Sequence, residues 1–134
     1  MSGSEPKKGV FVIEKRRNPR FNVELPLDYS PINEKENYPG TVANANDGGI
    51  LAYLPEKLEL GDLFKIKIFF AKELELNTIE AIAKIVWVDS AARKSAGEYR
   101  YGLQLQSFYK GDIHKFRSLL KEVEKTHVHQ KISN

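Results

Sequence analysis

The sequence predicts a mainly β protein: a six-stranded antiparallel β-barrel followed by a C-terminal α-helix. Two observations carry this. Between Phe21 and Gln106, apolar and polar residues alternate in short runs separated by turn residues; after Gly111 the apolar spacing becomes that of a helix. A third observation sets the scale. A chain of 134 residues is expected to form one domain around one core.

The elements follow in order. Phe21, Val23, Leu25, Leu27 and Tyr29 alternate with Asn22, Glu24 and Asp28, a half-buried strand in which Pro26 points to an edge position. Ser30 to Asn37 reads as a polar connection and Tyr38 to Ala43 as the second strand. Asn46-Asp47-Gly48-Gly49 is a tight-turn signal leading into Ile50 to Leu54. Beyond a loop from Pro55 to Asp62, Phe64, Ile66, Ile68 and Phe70 alternate with Lys65 and Lys67. Ile79 to Val88 is more continuously apolar, as expected of a central strand buried on both faces, and Phe64, Phe70 and Trp87 are expected in the core. Ala91 to Glu98 reads as a flexible connection. In the last strand Tyr99, Tyr101, Leu103 and Leu105 share one face, with Arg100, Gln104 and Gln106 on the other. Ile113, Phe116, Leu119, Leu120 and Val123 then fall at helical spacing behind Asp112 as an N-cap. The expected organisation is a flexible segment over residues 1–13, the barrel with its helix over 14–126 and a tail over 127–134. Strand count alone leaves open which small barrel this is, an oligonucleotide-binding barrel included.

Composition excludes several functions. No run nears the ~18 apolar residues of a membrane span, so no membrane insertion is expected. The polar start, Met1 to Lys8, lacks the apolar core of a secretory signal, which points to the cytoplasm. Without cysteine, thiol catalysis, thiolate metal sites and disulfides are out. Charge is uneven: Lys7, Lys8, Lys15, Arg16, Arg17 and Arg20 stand against Glu5 and Glu14, giving the first 20 residues +4 and the remaining 114 residues −1. An anionic partner is therefore expected at the N-terminal segment.

Two short motifs carry chemistry. Arg16-Arg17-Asn18-Pro19-Arg20 precedes the first strand, and arginine's planar fork pairs bidentately with phosphate or stacks on a base. Asn44-Ala45-Asn46-Asp47-Gly48-Gly49 places small polar side chains and permissive glycines at a hairpin turn. Each alone also reads as something plainer, a solvated basic linker or an ordinary turn.

Together, in this order and on this strand framework, they resemble the PilZ domain family, whose pattern is RxxxR just ahead of the barrel and [D/N]xSxxG further along the chain. Arg16 and Arg20 match the first motif, with Arg17 between them; Asn44 and Gly49 match the second, and Asn46 stands where the pattern has serine. The resemblance covers Glu14 to Val123, including Tyr101-Gly102-Leu103-Gln104 and the closing helix. It implies a binding protein for cyclic di-GMP, with no cofactor. Arg16, Arg17 and Arg20 would contact phosphate and guanine, Asn44 and Asn46 would read polar edges, and Gly49 would be required by the backbone. It further implies a downstream protein effector in motility, pilus, biofilm or exopolysaccharide control. The alternative is a PilZ-like adaptor that binds no nucleotide and works through protein contacts alone.

Catalysis is not expected. The histidines, His114, His127 and His129, all lie near the C-terminus, Glu73, Glu75, Asp89 and Glu98 have no acid/base pair spacing, and no GxxxxGK[ST] or GxGxxG loop occurs. A long nucleic acid is not expected either, because the strands carry little excess positive charge to track a phosphate backbone.

Overall fold

The computed structural model describes residues 21–89 and 98–133. Six strands and one helix succeed one another: β1 (Phe21–Pro31), β2 (Tyr38–Asn46), β3 (Gly49–Leu54), β4 (Leu63–Lys72), β5 (Glu75–Asp89), β6 (Tyr99–Phe108) and α1 (Asp112–Ser133). All pairings are antiparallel, and the strands close into a barrel in the order β1-β2-β3-β6-β5-β4. Closure removes free sheet edges along most of the wall.

The period of two fills the interior. Phe64, Ile66, Ile68 and Phe70 of β4 are buried while Lys65 and Lys67 are exposed, and Ile50, Ala52 and Leu54 of β3 meet Tyr101 and Leu103 of β6 in the same core. Two tyrosines bring hydroxyls inside and latch the loop after β3. Tyr29 Oη donates to Glu56 Oε1 at 2.7 Å; Tyr101 Oη donates to the Glu56 carbonyl at 2.8 Å and accepts Leu58 N–H at 2.8 Å. Buried tyrosine retains such partners because an unpaired hydroxyl in the core is destabilising.

Pro26 sits where the missing N–H does least harm. β1 pairs with β2 from Phe21 to Tyr29, but its ladder with β4 begins only at Leu27, so Pro26 faces no β4 partner. The expected edge position is thus real, but local to the first half of one strand in a closed barrel.

The helix packs against β1 and β5. Phe116 and Leu120 are buried, with the Phe116 ring 5.6 Å from that of Phe108. Asp112 begins the helix, but its carboxylate ties the helix to the wall: Oδ2 accepts the Glu80 N–H of β5 at 2.8 Å, and Lys115, 3.4 Å from Oδ1, donates to the Thr78 carbonyl at 3.1 Å. The helix continues to Ser133, through the stretch expected to be a tail.

Two expectations are corrected on β5. The strand is not buried on both faces: Ile79, Ala81, Ala83 and Ile85 point inward, and the residues between them line the outside of a one-layer wall. Trp87 is not core but 44% exposed. The expected connection from Ala91 lies outside the described residues up to Gly97.

Candidate functional site

The turn between β2 and β3 is two residues long, Asp47-Gly48, and Asn46 organises it. Asn46 Oδ1 accepts from Gly48 N at 2.8 Å and from Gly49 N at 3.0 Å, the side chain standing in for a backbone carbonyl. Gly49 opens β3 against β6 so closely that any Cβ would lie 2.1 Å from the Leu103 carbonyl oxygen. Glycine is required there by the barrel wall itself.

Asn44 lies beside a bulge. Val42 and Ala45 are both buried although three residues apart, and the register of β2 slips between Val42 and Asn44 against β3. The extra residue leaves Ala43 and Asn44 outside the core, where Asn44 is opposite Asn22 on β1 and Leu51 on β3.

The same register brings the start of β1 to the second motif. Phe21 pairs with Ala45, so the residue directly after Arg20 sits between Asn44 and Asn46 on the neighbouring strand. Arg16, Arg17 and Arg20 themselves lie outside the described residues.

The outer face continues sideways as a row of opposed residues, Asn22, Asn44, Leu51, Gly102 and Trp87, across β1, β2, β3, β6 and β5. Two open grooves lie on it. One, of about 640 Å³, is lined by Asn22, Val23, Thr41, Tyr53 and Glu98; the other, of about 600 Å³, by Asn46, Gly49, Leu51, Trp87, Gly102 and Gln104. In the second groove, polar edges, a flat glycine floor and an exposed indole suit a ligand with a planar ring.

Trp87 escaped the sequence reading for a physical reason. Ile79, Ala81, Ala83 and Ile85 set an inward period of two that assigns position 87 to the core. A register slip between Ile85 and Trp87 against β6 makes Val86 the extra residue and turns Trp87 out opposite Gly102. There the Arg100 guanidinium lies 5.5 Å from the ring centroid, and Arg100 is paired with Asp89. Nothing in the local sequence signals the bulge.

Among the described residues, no group of three His, Asp or Glu side chains gathers to hold a metal, and no helix is long and apolar enough to cross a membrane.

Fold and face together define a class: a small closed antiparallel barrel with one packed helix and a candidate site on the outside of its wall. Residues 14–122 match the PilZ domain model, and the chain belongs to the PilZ domain family. No curated protein matches it. Among solved structures it is similar to the Bacillus subtilis inhibitor of motility MotI/DgrA, with 18% identity, TM-score 0.67, 85% of this chain and 52% of that one covered. It is similar to the PilZ domain of YcgR from Escherichia coli with c-di-GMP, with 11% identity, TM-score 0.65, 90% and 99% covered. The MrkH–c-di-GMP complex of K. pneumonia is a third, with 21% identity, TM-score 0.62, 86% and 54% covered. The chain thus spans about half the length of MotI/DgrA and of MrkH.

Proposed function

We infer that this protein is a cyclic di-GMP receptor that passes the signal to a protein effector. One observation carries the reading: the pairing of Phe21 with Ala45, which brings the chain directly behind Arg20 onto the Asn44–Gly49 turn. Arg16, Arg17 and Arg20 supply charge-assisted forks for the two phosphates, and Asn44 meets the ligand from the barrel wall. Because Asn46 Oδ1 is held by the turn, Asn46 meets the ligand through its amide nitrogen, a donor suited to a phosphate oxygen or to guanine O6 and N7. Trp87 offers a ring face for a base. Membership of the PilZ family and the nucleotide named for YcgR and MrkH support the choice of ligand.

Coupling runs through the N-terminal segment. The dianionic nucleotide neutralises the repulsion within Lys15 to Arg20 and orders the segment against the wall, which moves residues 1–14 and presents a new surface to the effector. Motility, pilus, biofilm or exopolysaccharide control is the setting, motility being favoured by the likeness to an inhibitor of motility. Unchanged amide exchange over residues 8–22 on adding nucleotide would refute this coupling.

The receptor reading is tested by calorimetric titration of cyclic di-GMP into the wild type and an Arg16→Ala/Arg20→Ala variant, with GTP as control. Micromolar or tighter binding that is lost in the variant and absent with GTP supports it. No heat from a folded sample overturns it and favours the nucleotide-free adaptor.

A further inference from the structure

Resting on the nucleotide reading, we propose that Arg100 is a positioning residue, holding the Trp87 ring against the groove beside Asn46 so that a purine base stacks on it. An indole 44% exposed on a strand has few contacts to keep it in one rotamer. Three features fix this one. The bulge at Val86 aims it outward. Gly102 opposite leaves room at its root, where a Cβ would lie 3.1 Å from Trp87 Cβ. The Arg100 guanidinium covers the ring at 5.5 Å from its centroid, within cation–π range.

Arg100 is itself gripped from both neighbouring strands. It is opposite Asp89 on β5 and Tyr53 on β3; its Nη2 donates to Asp89 Oδ2, and it shares a hydrogen bond with Tyr53. Its Nε–H is buried with no acceptor among the described residues. Hydrogen bonding is therefore left to the ends of the fork, and the rest of the planar cation lies against the indole. A lysine keeps the charge but has neither the plane nor the fork. The groove containing Asn46, Gly49 and Gln104 opens beside the ring so held, and a purine plane entering it extends the stack begun by the guanidinium.

Trp87 is the sequence's one tryptophan, so its fluorescence reports this position alone. Acrylamide quenching is measured without nucleotide on the wild type, Arg100→Met, Arg100→Lys and Asp89→Asn, each first shown to be folded by circular dichroism. Cyclic di-GMP is then titrated into each, into Trp87→Ala and into the Arg100→Met/Trp87→Ala double variant. The proposal expects Arg100→Met to raise the quenching constant and weaken nucleotide binding about threefold to thirtyfold. Arg100→Lys restores part of both, Asp89→Asn moves quenching in the direction of Arg100→Met, and Arg100→Met weakens binding no further once Trp87 is alanine. Unchanged quenching in Arg100→Met overturns the clamp. An equal affinity loss with and without Trp87 also overturns it and makes Arg100 a direct ligand contact. If the wild type binds no cyclic di-GMP, the receptor reading fails, and quenching alone decides whether Arg100 positions Trp87.

Discussion

Gly49 and Leu103 approach so closely that the wall between β3 and β6 has no space for a side chain: a Cβ at position 49 would lie 2.1 Å from the Leu103 carbonyl oxygen. That oxygen is backbone, so a rotamer change cannot relieve the clash. Gly49→Ala is expected to destabilise the barrel by about 3 kcal/mol. Urea unfolding should show a lower midpoint in the absence of any ligand. A variant of unchanged midpoint would show that the wall accommodates a side chain at position 49.

Trp87 and Phe64 separate binding from folding. Phe64 is 2% exposed, and Phe64→Ala is expected to cost about 3–5 kcal/mol of stability. Trp87→Ala, on the outer face, should cost only about 1 kcal/mol in thermal unfolding. In the titration with cyclic di-GMP the same variant should lose about fivefold to a hundredfold in affinity, the range for one stacked base.

Alkaline stability should depend on Tyr29. Burial first, and then the hydrogen bond and charge of Glu56, hold its hydroxyl well above the ordinary value of 10.0; Tyr101 is shifted the same way, mainly by burial, with the Leu58 N–H opposing. The folded state therefore keeps protons that the unfolded chain releases. This contribution is fully present below about pH 10 and is lost as pH rises beyond it. The urea midpoint of the wild type should fall more steeply above pH 10 than that of Tyr29→Phe, and parallel curves would show that Tyr29 does not govern the loss.

Asp112 should govern docking of the helix. It is 4% exposed, and Asp112→Ala leaves the Glu80 N–H without its acceptor and Lys115 without its carboxylate, an expected cost of about 1–3 kcal/mol. Amide exchange at Glu80 should speed up in the variant more than exchange at Ile50 in the opposite wall.

What was legible in the sequence was whatever obeyed a strict period. Lys65 and Lys67 between Phe64, Ile66 and Ile68 identified β4 and its faces, and the spacing of Phe116 and Leu120 identified the buried side of the helix. The turn at Asn46–Gly49 was legible because few residues suit it. The breaks in period were not. The bulges beside Asn44 and at Val86 depend on how neighbouring strands meet, and the second turned a residue read as core onto the surface. The sequence offers Asp112 as a cap for its own helix and hides its partner, the Glu80 amide, which is distant along the chain. The pairing of Phe21 with Ala45, which brings the start of β1 to the Asn44 turn, was likewise a matter of register, and no property of the turn by itself announces it.

The uneven pairing of β1 also divides the strand mechanically. From Phe21 to Pro26 it is laced to β2 alone, whereas from Leu27 to Tyr29 it is laced on both sides. A tug applied through the arginine segment can peel the first six residues like the loose end of a seam, one ladder at a time, and meets doubled resistance at Leu27. Leu27 thus marks where yielding fabric ends and anchored fabric begins, so that Phe21 to Pro26 can give way while the barrel behind them keeps its shape.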